Sequence, residues 1–331
     1  MSVDISGKIF SALIAVVLGV LGAIVIFWVL NKIVELLPGK WDRRLKPYVF
    51  VLPAFAVIGT FLLYPAVTTL IASFFNSDGT EAVGFGNYQR LLSNQQFLSA
   101  MINNVLWIII APAVVVAFGT LVAVLADRMK PTREKVAKSV IFLPMAISMV
   151  GAATIWQLMY AFVPAGEPQV GLLNGIVQAF GGDPVNWLGI RELRFNSILL
   201  MVVYIWTQVG FAMVLISAAI KGVPEDTIEA GRIDGAGELA IFFRIIMPQA
   251  WPTVITVFIT VLIGVLKVFD IVYAMTNGQY NTDVIANIFF NTMFFNQDNG
   301  TASAIVVLLM IAVIPIMVYQ VRQFRSQEVN R

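Results

Sequence analysis

Apolar side chains along this chain gather into seven long runs, separated by shorter stretches that hold most of the charge. Read from charge to charge, the runs cover residues 9–30, 47–75, 103–126, 140–163, 196–220, 251–275 and 302–321. Each matches the roughly 20 mainly apolar residues that a helix needs to cross a bilayer. Only the sixth run contains charged residues, Lys267 and Asp270. Unbroken helices satisfy their own backbone groups where water is absent, so runs of this kind predict membrane-spanning helices. Transmembrane β-strands would alternate between two faces over short segments, and these runs do not. The pattern predicts an all-α polytopic membrane protein with about seven transmembrane helices.

The polar stretches give an orientation. Segments 31–46, 127–139, 221–250 and the tail from 322 fall on one side, and they carry most of the 21 Lys and Arg residues. The other side holds only Lys8, Arg90, Arg191 and Arg194. Basic residues mark the cytoplasmic side, so the N-terminus is expected outside and the C-terminus in the cytoplasm. The first run is longer than the apolar region of a cleavable signal and lacks a clear small-x-small cleavage site, which favours a retained span. Segments 76–98 and 276–300 read as short polar connectors. Segment 164–195 reads as turns around one amphipathic piece at 172–180.

Composition narrows the chemistry. The chain is 59% hydrophobic and 12% charged, far from the usual soluble balance. It has no Cys and no His, which excludes thiol chemistry, disulfides and His-based metal or acid–base sites. No phosphate-cradling G-x-x-x-x-G-K-[ST] is present. The net charge of +2 calls for no nucleic-acid partner. No catalytic residues, metal ligands or cofactor sites are expected in this chain.

The stretch 228–248, "IEAGRIDGAGELAIFFRIIMP", departs from the oily pattern. Pro224 suits a first helical position, and Glu225 and Asp226 suit the first turn, where the helix dipole favours anions. A short helix is expected to run to Asp234 and stop at Gly235, with Gly237 a second flexible point. Thr227, Ala230, Gly231 and Asp234 then share a thin face open to close approach. Glu229 and Arg232 are placed to pair at i, i+3. Leu239, Phe242, Phe243, Ile246 and Met247 form an apolar stripe on a second helix, which Pro248 is expected to end. Such an element could lie on lipid headgroups as an amphipathic connector. Alternatively, its second helix packs on the protein's own spans while the first projects into a partner.

Glu229-Ala230, Gly235, Ile245 and Pro248 resemble, in order and spacing, the EAA loop of ABC importer permeases, with Gly231 in place of the second Ala and Met247 in place of the usual Leu. The likeness to the carbohydrate branch extends to "IWTQVGFAMVLISAAIKGVPEDTIEAGRIDGAG", "FDIVYAMTNG", "VIFLPMAISMVGAATIWQLMY" and "GTASAIVVLLM". One departure is Gly278-Gln279-Tyr280, where the family commonly has Gly-Gly-Pro; this variant looks most like the α-glucoside and glucosylglycerol-type permeases.

The resemblance covers roughly residues 47–321. It implies a six-helix type I importer core (47–321, with its coupling loop at 224–248), preceded by an N-terminal helix and amphipathic linker (1–46) and followed by a cytoplasmic tail (322–331). It also implies a bacterial inner-membrane location, docking of the loop on a cytoplasmic ATPase present in two copies, a second and different permease subunit, and an extracytoplasmic sugar-binding protein. ATP and Mg would be bound by the ATPase. Glu229, Ala230, Gly231, Asp234, Gly235, Ile245 and Pro248 would carry the coupling.

A solute pathway should show polar and aromatic groups inside the spans, because sugars offer hydroxyls to hydrogen-bond and C–H faces to stack. The candidates are Asn104, Tyr204, Trp206, Gln208, Lys267, Asp270, Tyr273 and Asn277, with Asn103, Trp107, Trp156, Gln157 and Tyr160 beside them. Aromatics near span ends also form interfacial belts, and an Asn inside a span also bonds neighbouring helices. Lys267 and Asp270 stand apart, since a charge inside the membrane normally faces a wet or protein interior. Their i, i+3 spacing would let them offset each other. Two further readings are a secondary transporter working alone, for which Asp270 is the one carboxylate within the spans, and a scaffold that recruits a cytoplasmic protein.

Overall fold

A computed structural model describes residues 5–36, 39–164 and 166–329. The predicted N-terminal segment, linker and tail therefore lie partly outside the described residues, at 1–4, 37–38 and 330–331. The described residues are almost entirely helical and contain no strand, only one isolated bridge between Phe75 and Ala82. Six helices are long and apolar enough to cross a membrane, and a seventh span is formed if one bent pair is counted as one.

The chain divides into two compact units, Met1–Ile71 and Ala72–Arg331. In the first, α1 (Ile5–Glu35) and α2 (Gly39–Ile58) pack together, with Phe27 stacked on Phe50 at 6.0 Å. The apolar residues of α1, and those of α2 from Tyr48 onward, are mostly exposed, as suits surfaces that meet lipid. A widened π turn at Gly59–Leu63 leads into α3 (Tyr64–Ala72).

The second unit is built on α4 (Gly86–Ser93), α5 (Gln95–Asp127), α6 (Pro131–Phe142), α7 (Met149–Met159), α8 (Leu172–Ala179) and α9 (Phe195–Lys221). The Asn94 side chain accepts from the Gln96 and Phe97 N–H groups and so starts α5. Helices α5 and α9 meet through small residues. A Cβ on Gly119 would lie 2.5 Å from the Ala212 Cβ, so the close approach needs glycine there. After α9 come α10 (Glu225–Ile233), α11 (Glu238–Ile241), α12 (Met247–Leu266), α13 (Asp270–Met275), α14 (Ile285–Phe290) and α15 (Asn299–Val329). The buried core runs through α5, α7, α9, α12 and α13, with Trp107, Leu200, Met213 and Val257 among its fully covered members.

Four local expectations need correction. The fourth run is not one straight span: α6, continued by a tighter turn to Ala146, and α7 are bent by 103° at residues 147–148. Pro144 has no N–H to continue α6, and the Ser148 hydroxyl accepts from the Gly151 N–H to start a new helix. The sixth run also breaks, at 267–269, between α12 and α13, where Phe269 takes a non-helical backbone.

Segment 276–300 is not merely a polar connector. It contains α14, whose Ile285 packs with Leu91, Phe97, Ala100, Ala304 and Ile305. Finally, Pro248 does not end its helix, which runs from Glu238 to Leu266. The preceding turn widens to a π turn at Phe242–Ile246, in which the Met247 N–H reaches back to the Phe242 carbonyl. That extra room accommodates the proline ring and its missing donor. The π turn before Pro65 does the same.

Candidate functional site

Segment 224–248 forms an elbow closed by its own side chains. Pro224 caps α10 from outside, one position earlier than the sequence suggested, and α10 ends at Ile233. Gly235 takes a left-handed φ of +80°. The Gly235 N–H bonds the Arg232 carbonyl, and the Ala236 N–H reaches the Gly231 carbonyl. These two bonds make a Schellman cap, which strongly favours glycine at the turn.

Across the joint, the Arg232 Nε donates to the Glu238 carboxylate at 3.2 Å. The expected Glu229–Arg232 pair is therefore replaced, because the turn brings Glu238 to the guanidinium. Gly231 is buried, and a Cβ there would stand 2.5 Å from the Ile245 Cδ1. Gly231 thus serves contact with the chain's own second helix rather than the approach of another surface. Ala230, Asp234 and Glu229 remain exposed, and among the described residues Glu229 has no ion pair.

The stripe on the second helix is also divided differently from the expectation. Ile241 is the buried anchor at 1% exposure, Ile245 is half-buried, and Leu239 and Phe243 are 75% and 65% exposed. With Ile233 at 85%, the elbow carries uncovered apolar side chains on both of its limbs.

A second site lies where the sixth run breaks. A cavity of about 320 Å³ is lined by Tyr204 and Gln208 of α9, Thr260 and Gly264 of α12, Lys267 and Asp270 at the break, and Met149 at the start of α7. Tyr204 is seated edge-on against Trp107 at 6.0 Å, and its hydroxyl donates to the Val261 carbonyl at 3.2 Å. Gly264 makes that seat possible, because a Cβ there would be 2.4 Å from the Tyr204 Oη.

Lys267 and Asp270 are exposed and form no ion pair with each other among the described residues. The break between them removes the i, i+3 geometry on which the pairing depended. The cavity therefore offers an ammonium, a carboxylate, an amide and hydroxyls, a set able to hold a polyhydroxylated solute.

The other pathway candidates lie elsewhere. The Asn104 carbonyl oxygen accepts from the Ile285 N–H at 2.8 Å and ties α5 to α14. Asn103 is fully buried and donates to the Asn281 and Asp283 carbonyls, both at 2.7 Å. Trp206 meets Trp156 in an apolar groove away from the cavity. Tyr273 stacks on Phe269 at 5.0 Å and edges Phe290. Asn277 takes a left-handed φ of 47° in the turn after α13. Trp107 is completely covered, which makes it core rather than belt. Gln157 donates to the Ala274 carbonyl at 2.6 Å, and the Tyr160 hydroxyl donates to the Leu199 carbonyl at 3.1 Å.

Thr260 and Gly264 were missed from sequence. They share the i, i+4, i+7 face of α12 with Lys267, so a helical projection of the sixth run identifies them. Nothing in the sequence marks Met149.

Residues 118–327 match the model of the binding-protein-dependent transport system inner membrane component family. The alpha-glucoside transport system permease protein AglF of Rhizobium meliloti is 41% identical over 329 residues, covering 95% of this chain and 97% of its own. The osmoprotective compounds uptake permease protein GgtC of Synechocystis is 43% identical over 279 residues, covering 84% and 99%. A bacterial alginate ABC transporter, solved in complex with an alginate-pentasaccharide-bound periplasmic protein, contains a chain with the same fold. Its TM-score is 0.73 at 21% identity, covering 85% of this chain and 94% of that one. With matches of this length to whole permeases, the chain belongs to the family of binding-protein-dependent transport inner membrane components, as a multi-pass permease of the carbohydrate branch of ABC importers.

Proposed function

We propose that this chain forms half of the translocation pathway for an oligosaccharide or glucoside and couples to a separate ATPase through the elbow at 224–248. The observation that carries this reading is the elbow itself. Its shape is fixed internally by the Schellman cap, the Arg232–Glu238 pair and the Gly231–Ile245 contact, yet Ile233, Leu239 and Phe243 are left uncovered. A rigid projection with exposed apolar side chains suits insertion into a preformed groove, because little ordering remains to be done on binding. In this reading Glu229 is the polar anchor toward a basic residue of the ATPase, and Gly235 is the joint.

The solute would contact Tyr204, Gln208, Lys267 and Asp270 in the 320 Å³ cavity. Relatives named for alpha-glucosides and trehalose/maltose support a glucosyl solute. The assembly we infer has two copies of the ATPase, which hold ATP and Mg, a second and different permease chain, and an extracytoplasmic binding protein. The core would be 47–321, and the N-terminus would lie outside with the C-terminus in the cytoplasm.

The test is a reconstituted complex in liposomes. A cognate binding protein loaded in turn with maltose, trehalose, sucrose and glucosylglycerol should stimulate ATP hydrolysis and uptake for at least one of them. Uptake by the permease without an ATPase, or no stimulation by any loaded binding protein, would overturn the reading.

A further inference from the structure

Where α5 and α9 end and α6 begins, just before the elbow, four charged side chains and one hydroxyl form a closed cluster. Asp127 is the last residue of α5, an unfavourable place for a carboxylate next to the helix's exposed carbonyls. Lys138 of α6 compensates it at 2.6 Å, and also bonds Glu134 at 2.7 Å and the Ser217 hydroxyl at 2.5 Å. Ser217, 2% exposed, donates in turn to both Asp127 oxygens, at 2.8 and 3.0 Å. Lys221, one turn further along α9, holds Glu134 and stands 3.6 Å from Asp127.

The two lysines differ in setting. The Lys138 side chain is 19% exposed and held from three sides, whereas that of Lys221 is 49% exposed. Lys221 also lies three positions before Pro224, where the elbow begins. It has a near carboxylate and a second one just outside hydrogen-bond range, so a movement of about 1 Å would change which acid it holds.

The cluster also clamps the broken span. A Cβ on Gly210 of α9 would be 2.5 Å from the Ile141 carbonyl, so the far end of α6 is pressed onto α9 as well. α6 is thus fixed to α9 at both ends, and the 103° bend follows. Beyond the bend lie Met149, in the cavity wall, and Gln157, which holds the carbonyl of Ala274 on α13. α13 opens with Asp270, also in the cavity wall. Contacts therefore run without a gap from the root of the elbow, through Lys221 and Glu134, along α6 and α7, to two walls of the cavity.

We propose that Lys221 is a positioning residue whose bridge to Glu134 ties elbow movement to the bent α6–α7 span, so that the state of the ATPase is felt at the solute cavity. This rests on the importer reading above and names a transmission element within it. Coupling of this kind needs a packed element with two arrangements, and the two carboxylates within reach of Lys221 supply them.

The experiment compares wild type, Lys221→Met and Lys221→Arg in the reconstituted complex. It measures ATP hydrolysis with and without the binding protein, loaded with whichever of the four sugars gives stimulation, and it measures ATPase copurification and melting temperature. Wild type must first show stimulation; its absence would count against the importer reading and not against Lys221. Lys221→Met should lower the stimulation about three- to tenfold, with unstimulated hydrolysis, copurification and melting temperature held, and Lys221→Arg should restore it. Unchanged stimulation in Lys221→Met would mean an ordinary half-exposed ion pair with no role in coupling. Stimulation that falls only in step with melting temperature would mean a structural clamp. Either result overturns the proposal.

Discussion

Replacing Gly264 by alanine adds one carbon at the most sensitive point of the cavity wall. The new Cβ would be 2.4 Å from the Tyr204 Oη, against about 3.3 Å for a close carbon–oxygen contact, so the phenol must shift by about 1 Å. That shift gives up the bond to the Val261 carbonyl, worth about 0.5–1.5 kcal/mol, and adds overpacking strain of about 1–3 kcal/mol. Alanine returns about 0.5–1 kcal/mol through its better helix propensity, which leaves a net cost of about 0.5–4 kcal/mol.

Because Tyr204 lines the cavity, part of this cost should appear as a weaker apparent affinity for solute, about 3- to 30-fold at about 1.4 kcal/mol per decade. The assay is the concentration dependence of sugar uptake by the reconstituted complex for Gly264→Ala, Tyr204→Phe and the double variant. Removing the hydroxyl removes the clash, so the double variant should recover most of what Gly264→Ala loses. The coupling energy of the cycle should be at least about 1 kcal/mol. Wild-type uptake by Gly264→Ala, or strictly additive effects, would refute the argument.

Three further outcomes follow from the same geometry. Lys267→Met and Asp270→Asn should each weaken apparent affinity for solute, because both groups line the one cavity; unchanged affinity and uptake rate in both variants would show that neither touches the solute. Gly235→Val should cost about 1–2 kcal/mol at the left-handed turn and lower binding-protein-stimulated ATP hydrolysis while the permease remains inserted; stimulation equal to wild type would show that the joint need not hold this shape. At Gly231, alanine should be tolerated because the Ile245 Cδ1 is the end of a flexible side chain and can turn away, whereas leucine should separate the two limbs of the elbow and reduce ATPase copurification; equal copurification of both would refute that ordering.

Much of the elbow was legible in the sequence because its signals are local. Asp234-Gly235 after a short amphipathic run needs only backbone geometry to become a helix stop. Its packing was not legible. Gly231 reads as thin in any projection, but only the fold shows that Ile245 occupies the space it leaves. The cavity shows the same division: Lys267 and Asp270 stand out as charges in an apolar run, while Met149 joins them only because the 103° bend turns α7 toward α9.

The sequence by itself determined the class of molecule, the number of apolar runs and the place of the one charged, glycine-punctuated loop. Those properties depend on composition and periodicity, which bilayer thickness and backbone hydrogen bonding translate directly into helices. Only the tertiary structure decided where the fourth and sixth runs break, that Pro248 lies inside a helix behind a widened turn, and that Lys267 and Asp270 share a cavity wall without an ion pair among the described residues. It also decided which of the basic residues beside the elbow are locked against Asp127 and Glu134. These outcomes depend on which helices lie side by side, and residues distant in the chain meet only when close packing brings their helices together.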